Sequence, residues 1–179
     1  MTPSDRSILW ELCFGDAPDV AESFFGISDV ISVTEYSEDT LIGMASLVPV
    51  HTASGLSGYY AYGVCTHPSY RGHGVFTRLM ERCEQRAIKE GLDFLCLIPA
   101  TPRLTDTYSR MGYSKKIALF DAPDRSGDAI YSSSRGFLEF ATPDSGTPPL
   151  LTDDRGAMKP LSDRARRHEF YFAAPMGER

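Results

Sequence analysis

Apolar residues recur at helical spacing near the start of the chain. Ile8, Leu9, Leu12 and Cys13 follow the cap residues Ser4 and Asp5, and Val20, Ala21, Phe24 and Phe25 follow Asp16. Gly15 and Gly26 are the stops, so two short helices are predicted. The spacing then changes to alternation over Val30 to Tyr36, and after the polar turn "SEDT" a longer apolar run extends from Leu41 to Val50, stopped at Pro49. This pair reads as a hairpin. Tyr59 to Thr66 is a further strand, ended by His67 and Pro68.

Helical spacing returns at Val75, Phe76, Leu79, Met80, Cys83, Ala87 and Ile88, with Arg78, Glu81, Arg82, Glu84 and Lys89 on the other face and Gly91 as the exit. Phe94 to Ile98 is unbroken apolar sequence, the signature of a strand covered on both faces. Thr101 caps the next helix, Pro102 occupies its first position, Leu104, Tyr108 and Met111 form its inner stripe, and Gly112 ends it. Tyr113 to Phe120 and Gly136 to Thr142 read as the last clear strands, giving the order α-α-β-β-β-α-β-α-β-β. Pro143 to Asp154 reads as a surface loop. Within 161–174, "LSDRARRHEF" suggests a short basic helix and "EFYFAA" a strand. The expected organisation is one domain over residues 1–142, with 143–179 a loop and tail that packs on that domain or on a second subunit.

Composition narrows the class. The 179 residues are 42% apolar, enough for a core, and carry a net charge of −6. That balance argues against unaided binding to nucleic acid or an anionic membrane. No run of apolar residues is long enough to span a membrane and Met1 to Ser7 lacks a signal-like segment, so the expected location is cytoplasmic. Cys13, Cys65, Cys83 and Cys96 are too dispersed for a zinc site, and no metal is expected.

The chemistry starts at "HPSYRGHGVF", residues 67–76. A strand, a Gly-x-Gly turn and an amphipathic helix place unpaired backbone N–H groups of Arg71 to Phe76 where the helix dipole is positive, which suits a diphosphate. The dinucleotide fingerprint is excluded because Thr77 stands where its third glycine belongs, and the P-loop is excluded by the missing Gly-Lys-Ser/Thr.

"VCTHPSYRGHGVFTRLM" resembles the acetyl-CoA-binding motif of the GNAT superfamily of N-acetyltransferases. "FLCLIPATPRLTDTYSRMGY" resembles that family's next strand and helix, ending in Tyr-x-x-x-Gly-Tyr at Tyr108, Gly112 and Tyr113. The resemblance covers about residues 30 to 120. It implies a mixed α/β fold whose central, mostly antiparallel sheet has splayed central strands and flanking helices. Acetyl-CoA would be the co-substrate. Val64, Cys65 and Thr66 would carry its pantetheine arm, with Val64 and Thr66 acting through main-chain groups, as an added strand would pair. Arg71, Gly72, His73, Gly74, Val75 and Phe76 would wrap its pyrophosphate. Ser69 departs from the Gln or Arg common three residues before the first glycine.

By the same resemblance Tyr108 is the catalytic acid, donating to the thiolate that leaves when an amine attacks the acetyl carbonyl. The strand glutamate that many relatives use as a base is missing, since no carboxylate lies between Asp39 and Glu81. Tyr60 and Tyr62, on one strand face, and Glu35 are the substrate candidates. The expected reaction is direct acetyl transfer to a primary amine of a small molecule or peptide, by a monomer or homodimer. The alternative from another class is a non-catalytic acyl-CoA-binding sensor or interaction module, which would need the turn but no acid.

Overall fold

The computed structural model describes residues 4–118, 127–134, 136–137 and 156–172. Two helices open the chain, α1 (Asp5–Phe14) and α2 (Pro18–Phe25). The Ser4 hydroxyl accepts from the Ser7 amide to cap α1, while Ser4 N and Oγ donate to Glu22 Oε1 at 2.9 and 2.6 Å, so one carboxylate ties the two helices together. Asp16 does not cap α2. Ala17 holds that position ahead of Pro18, and the Asp16 carboxylate accepts instead from the Trp10 indole at 2.8 Å.

The strands are β1 (Ile31–Ser37), β2 (Thr40–Thr52), β3 (Ser57–Thr66), β4 (Phe94–Leu97), β5 (Lys115–Ala118), β6 (Asp128–Ser132), β7 (Gly156–Pro160) and β8 (Phe170–Phe172). Helix α3 (Val75–Lys89) joins β3 to β4, α4 (Pro102–Arg110) joins β4 to β5, and α5 (Asp163–Arg167) joins β7 to β8. The strand order is β1-β2-β3-β4-β7-β5-β8-β6, and β6 also pairs with the end of β2, so the sheet curls into a ring. Most pairings are antiparallel; β3–β4, β5–β8 and β6–β8 are parallel. This is the mixed α/β architecture with flanking helices that the sequence led us to expect.

Two apolar clusters fill the two faces of this sheet. One joins α1 and α2 to one face of the sheet through Trp10, Phe24, Tyr60, Phe94, Phe170 and Phe172. The other packs α3 and α4 on the opposite face through Leu79, Met80, Cys83, Leu95, Tyr108 and Tyr113. Gly43 on β2 lets the first turn of α3 settle onto the sheet, because a Cβ there would lie 2.6 Å from Val75 Cγ1.

The second half differs from the expectation in two places. Gly136 and Phe137, read as the start of a strand, are helical, and 138–142 lie outside the described residues. The cause is a local cap: Ser134 Oγ accepts from the Phe137 amide at 3.2 Å and donates to Asp29, turning the chain so that Phe137 enters the aromatic cluster. The strand in this region is β6, eight residues earlier. Residues 156–172 supply β7 and β8 to the same sheet, with β7 placed between β4 and β5. The basic helix and the strand expected near the C-terminus correspond to α5 and β8. The loop expected at Pro143 to Asp154 lies outside the described residues. Among the described residues no helix is long and apolar enough to cross a membrane.

Candidate active site

β3 creates the site by parting from its neighbour. It pairs with β4 only at Gly58, Tyr59 and Tyr60, and β4 ends at Leu97 while β3 continues to Thr66. Its pairing with β2 also slips, since Met44 faces Cys65 but Ser46 faces Tyr62, leaving an extra residue on β3. Gly63 sits in this bulge at φ 59°, where a side chain would collide with the Trp10 ring. The bulge reverses the alternation of β3. Tyr60 and Tyr62 face the α1–α2 cluster, yet Val64, which plain alternation would put beside them, packs with the α3–α4 cluster.

A cavity of about 770 Å³ opens where the strands part. Its wall includes Val64, Cys65 and Thr66 of β3, Arg71, Gly72, Gly74, Val75 and Phe76 of the turn and first helical turn, and Tyr108 of α4. Nearly all of the proposed cofactor and catalytic residues therefore converge on one space. Gly72 and Gly74 have φ of 82° and 76°, a conformation that favours glycine, and a Cβ on Gly72 would meet no protein atom within 4 Å. Since the first intrahelical bond is Arg78 N to Gly74 O, the amides of Val75, Phe76 and Thr77 have no acceptor within the helix. Those donors sit at the positive end of α3.

The turn is braced from outside the cavity. The Arg78 guanidinium donates to the His73 carbonyl at 2.9 Å and to Glu35 Oε1 through Nε at 2.9 Å. Glu35, a substrate candidate by sequence, does not line this cavity, and its carboxylate is engaged by Arg78. The His73 ring is also outside the wall, its Nδ1 lying 3.0 Å from the Arg71 carbonyl. Tyr60 and Tyr62 also lie away from this cavity. Both pack with Phe137 in the aromatic cluster, Tyr62 against Trp10 and Phe24 as well, and neither lines the cavity.

Tyr108 is held edge-on by Phe76 and Tyr113, with ring centroids 5.3 and 5.6 Å away. Burial, with a smaller effect from Cys83, pushes its phenol well above the ordinary value, so it stays a proton donor through the neutral range. The hydroxyl of Thr66, another wall residue, is buried without a hydrogen-bond partner among the described residues. The amides left free at the start of α3 fit an anionic ligand such as CoA.

A family model for the acetyltransferase (GNAT) domain matches residues 7–115. The chain belongs to the GNAT family. No curated protein was found to match it in sequence. Solved structures share its fold. The GNAT acetyltransferase YhbS from Escherichia coli, in complex with CoA, is 15% identical over 96% of this chain and 84% of its own, with a TM-score of 0.60. A GCN5-related N-acetyltransferase from Anabaena variabilis is 22% identical at a TM-score of 0.51, covering 63% of this chain. This GNAT chain spans only 29% of the Anabaena protein's length. A GNAT acetyltransferase from Brucella melitensis, in complex with acetyl-CoA, is 14% identical over 60% of this chain and 73% of its own, at 0.50.

Several cavity residues of this GNAT domain escaped the sequence reading. Arg103 and Thr107 line the wall beside Leu104 and Tyr108. Their spacing of four residues, one position ahead of the Leu104–Tyr108 pair, was a legible signal. Cys13 and Phe14 come from the end of α1. No local pattern announces them, because only tertiary packing brings residue 13 to β3.

Proposed function

We infer that the protein is an N-acetyltransferase that moves an acetyl group from acetyl-CoA to a primary amine of a small molecule or peptide. The observation that carries this reading is the cavity itself, which joins the Gly72–Gly74 turn, the free β3 edge and the Tyr108 phenol. In this account the amides at the start of α3 and the Arg71 guanidinium bind the diphosphate, and the backbone of Val64 to Thr66 aligns the arm. Acetyl-CoA supplies the activated acyl group. Tyr108 hydrogen-bonds and protonates the departing sulfur, an effect of roughly 10- to 1000-fold for one well-placed donor.

No carboxylate or imidazole lines the cavity among the described residues, so proton removal from the amine falls to water in this scheme. An amine delivered as its neutral form needs no protein base. The test is thiol release from acetyl-CoA across a panel of primary amines, with product masses measured. An amine-dependent rate with a mass gain of about 42 Da, one acetyl replacing one hydrogen, supports the reading. CoA binding with background release for every amine would support a non-catalytic binder instead.

A further inference from the structure

The cavity wall holds two cysteines that acetyl transfer does not use. Cys13, at the end of α1, and Cys65, near the end of β3, are both wall residues and both free. They come together in one small cluster. The Cys13 thiol lies 3.6 Å from the carbonyl of Thr66, the residue after Cys65, and Cys13 packs against the apolar cluster that contains Cys65. Arg71 joins them, its Nε 3.3 Å from that same carbonyl. Cys13 is half-buried and reachable from the cavity, whereas Cys65 is only 7% exposed behind it.

We propose that Cys13 and Cys65 form an oxidant-reactive dithiol in the cavity wall, which hydroperoxides convert to a disulfide and which bound CoA shields. The Cys13 thiolate attacks one peroxide oxygen and becomes a sulfenic acid, with one water leaving. The Cys65 sulfur then attacks the Cys13 sulfur, forming the S–S bond and releasing a second water. Two thiols thus supply the two electrons and two protons that reduce one hydrogen peroxide to two waters.

Chemistry separates the roles within the pair. Contact with the Cys65 thiol and, less strongly, the charge of Arg71 lower the Cys13 thiol below its ordinary value, whereas contact with Cys13 and burial raise Cys65 against a smaller lowering by Arg71. Cys13 is therefore the attacking thiolate and Cys65 the resolving group. Cys83 and Cys96 are fully buried, and burial pushes the Cys83 thiol up to about 12, so neither competes. The dithiol stands on the placement of its own residues; only the shielding by CoA rests on the cofactor reading given above.

The test treats reduced protein with a small excess of hydrogen peroxide and maps its cysteines by mass spectrometry without reduction. The expected product is about 2 Da lighter and contains the Cys13 peptide linked to the Cys65 peptide, reversed by dithiothreitol. In Cys65→Ser, dimedone should trap the Cys13 sulfenate; if that variant misfolds, Cys65→Ala replaces it. Saturating CoA should slow disulfide formation about tenfold or more, because the ligand fills the space that peroxide must cross. Oxidation that stops at Cys13 in the native protein, or that reaches Cys83 or Cys96 as fast, would overturn the dithiol. If calorimetry shows that CoA binds yet oxidation is not slowed, the shielding is overturned. If CoA does not bind at all, the cofactor reading fails while the peptide map still decides the dithiol.

Discussion

Tyr108 combines an observed packing position with the chemistry we propose for it. Its ring fills the α3–α4 cluster between Phe76 and Tyr113, and its phenol remains protonated because burial disfavours the phenolate. Tyr108→Phe keeps the ring, so CoA affinity should hold while turnover drops roughly 10- to 1000-fold. Steady-state kinetics with the best amine, beside a CoA titration, would check this. The same burial predicts that deprotonation of Tyr108 sets no alkaline limb in a pH–rate profile up to about pH 9. Glu35 makes a smaller contribution, through Arg78 and the His73 carbonyl. Arg78 is half exposed, which limits the pair's worth, and Glu35→Gln should weaken CoA roughly threefold to tenfold. Unchanged affinity in that variant would show that the turn holds itself. At this scale the convergence of the turn glycines and Tyr108 on one cavity was legible because motif and spacing are local. That Glu35, Tyr60 and Tyr62 lie off this cavity was not legible, because whether a side chain faces a cavity or a packed cluster depends on which layer covers its strand.

Elements were legible where the apolar period is long. α3 keeps one buried face over fifteen residues and β2 is buried on both faces along most of its thirteen, and both lie where the apolar pattern predicts. Short elements depend on tertiary partners: β6 and β7 are five residues each and gain stability from the strands beside them. The bulge at Gly63 was equally hidden, since an extra residue changes no composition, and it re-aims Val64 toward the cofactor side. The join between α1 and α2 gives an acid-sensitive prediction. Hydrogen bonds from the Ser4 hydroxyl and then the Ser4 amide hold the Glu22 carboxyl down to about 2, against 4.5 for an ordinary glutamate. A carboxyl lowered on folding contributes stability that is full above the ordinary value and fades as pH falls toward the lowered one. Glu22→Gln should therefore lower stability at pH 7 and flatten its fall between about pH 4.5 and 2. Urea titrations followed by fluorescence of Trp10, the single tryptophan, would show it.

Across the whole molecule, the parting of β3 from β4 and the ring closure through β6 are two results of one geometry. β4 pairs with β3 over only three residues and turns with β7, β5 and β8 back toward β2, which opens the cavity on the other side. The GNAT match over residues 7–115 covers the elements that build this opening, while β6, β7 and β8 close the sheet from outside it. The resemblance is correspondingly strong in the cofactor half, and the acceptor is left to chemistry and to the amine panel. The central claim is that the Gly72–Gly74 turn holds the diphosphate of acetyl-CoA. A Cβ on Gly72 meets no protein atom within 4 Å, and in this proposal the open space beside it is where the diphosphate lies. The most direct measurement is calorimetric titration of CoA into the native protein and a folded Gly72→Val variant. Saturable binding that weakens by about 2 kcal/mol, close to thirtyfold, is the predicted result. Equal affinity in the two proteins, or no binding to the native one, would contradict it.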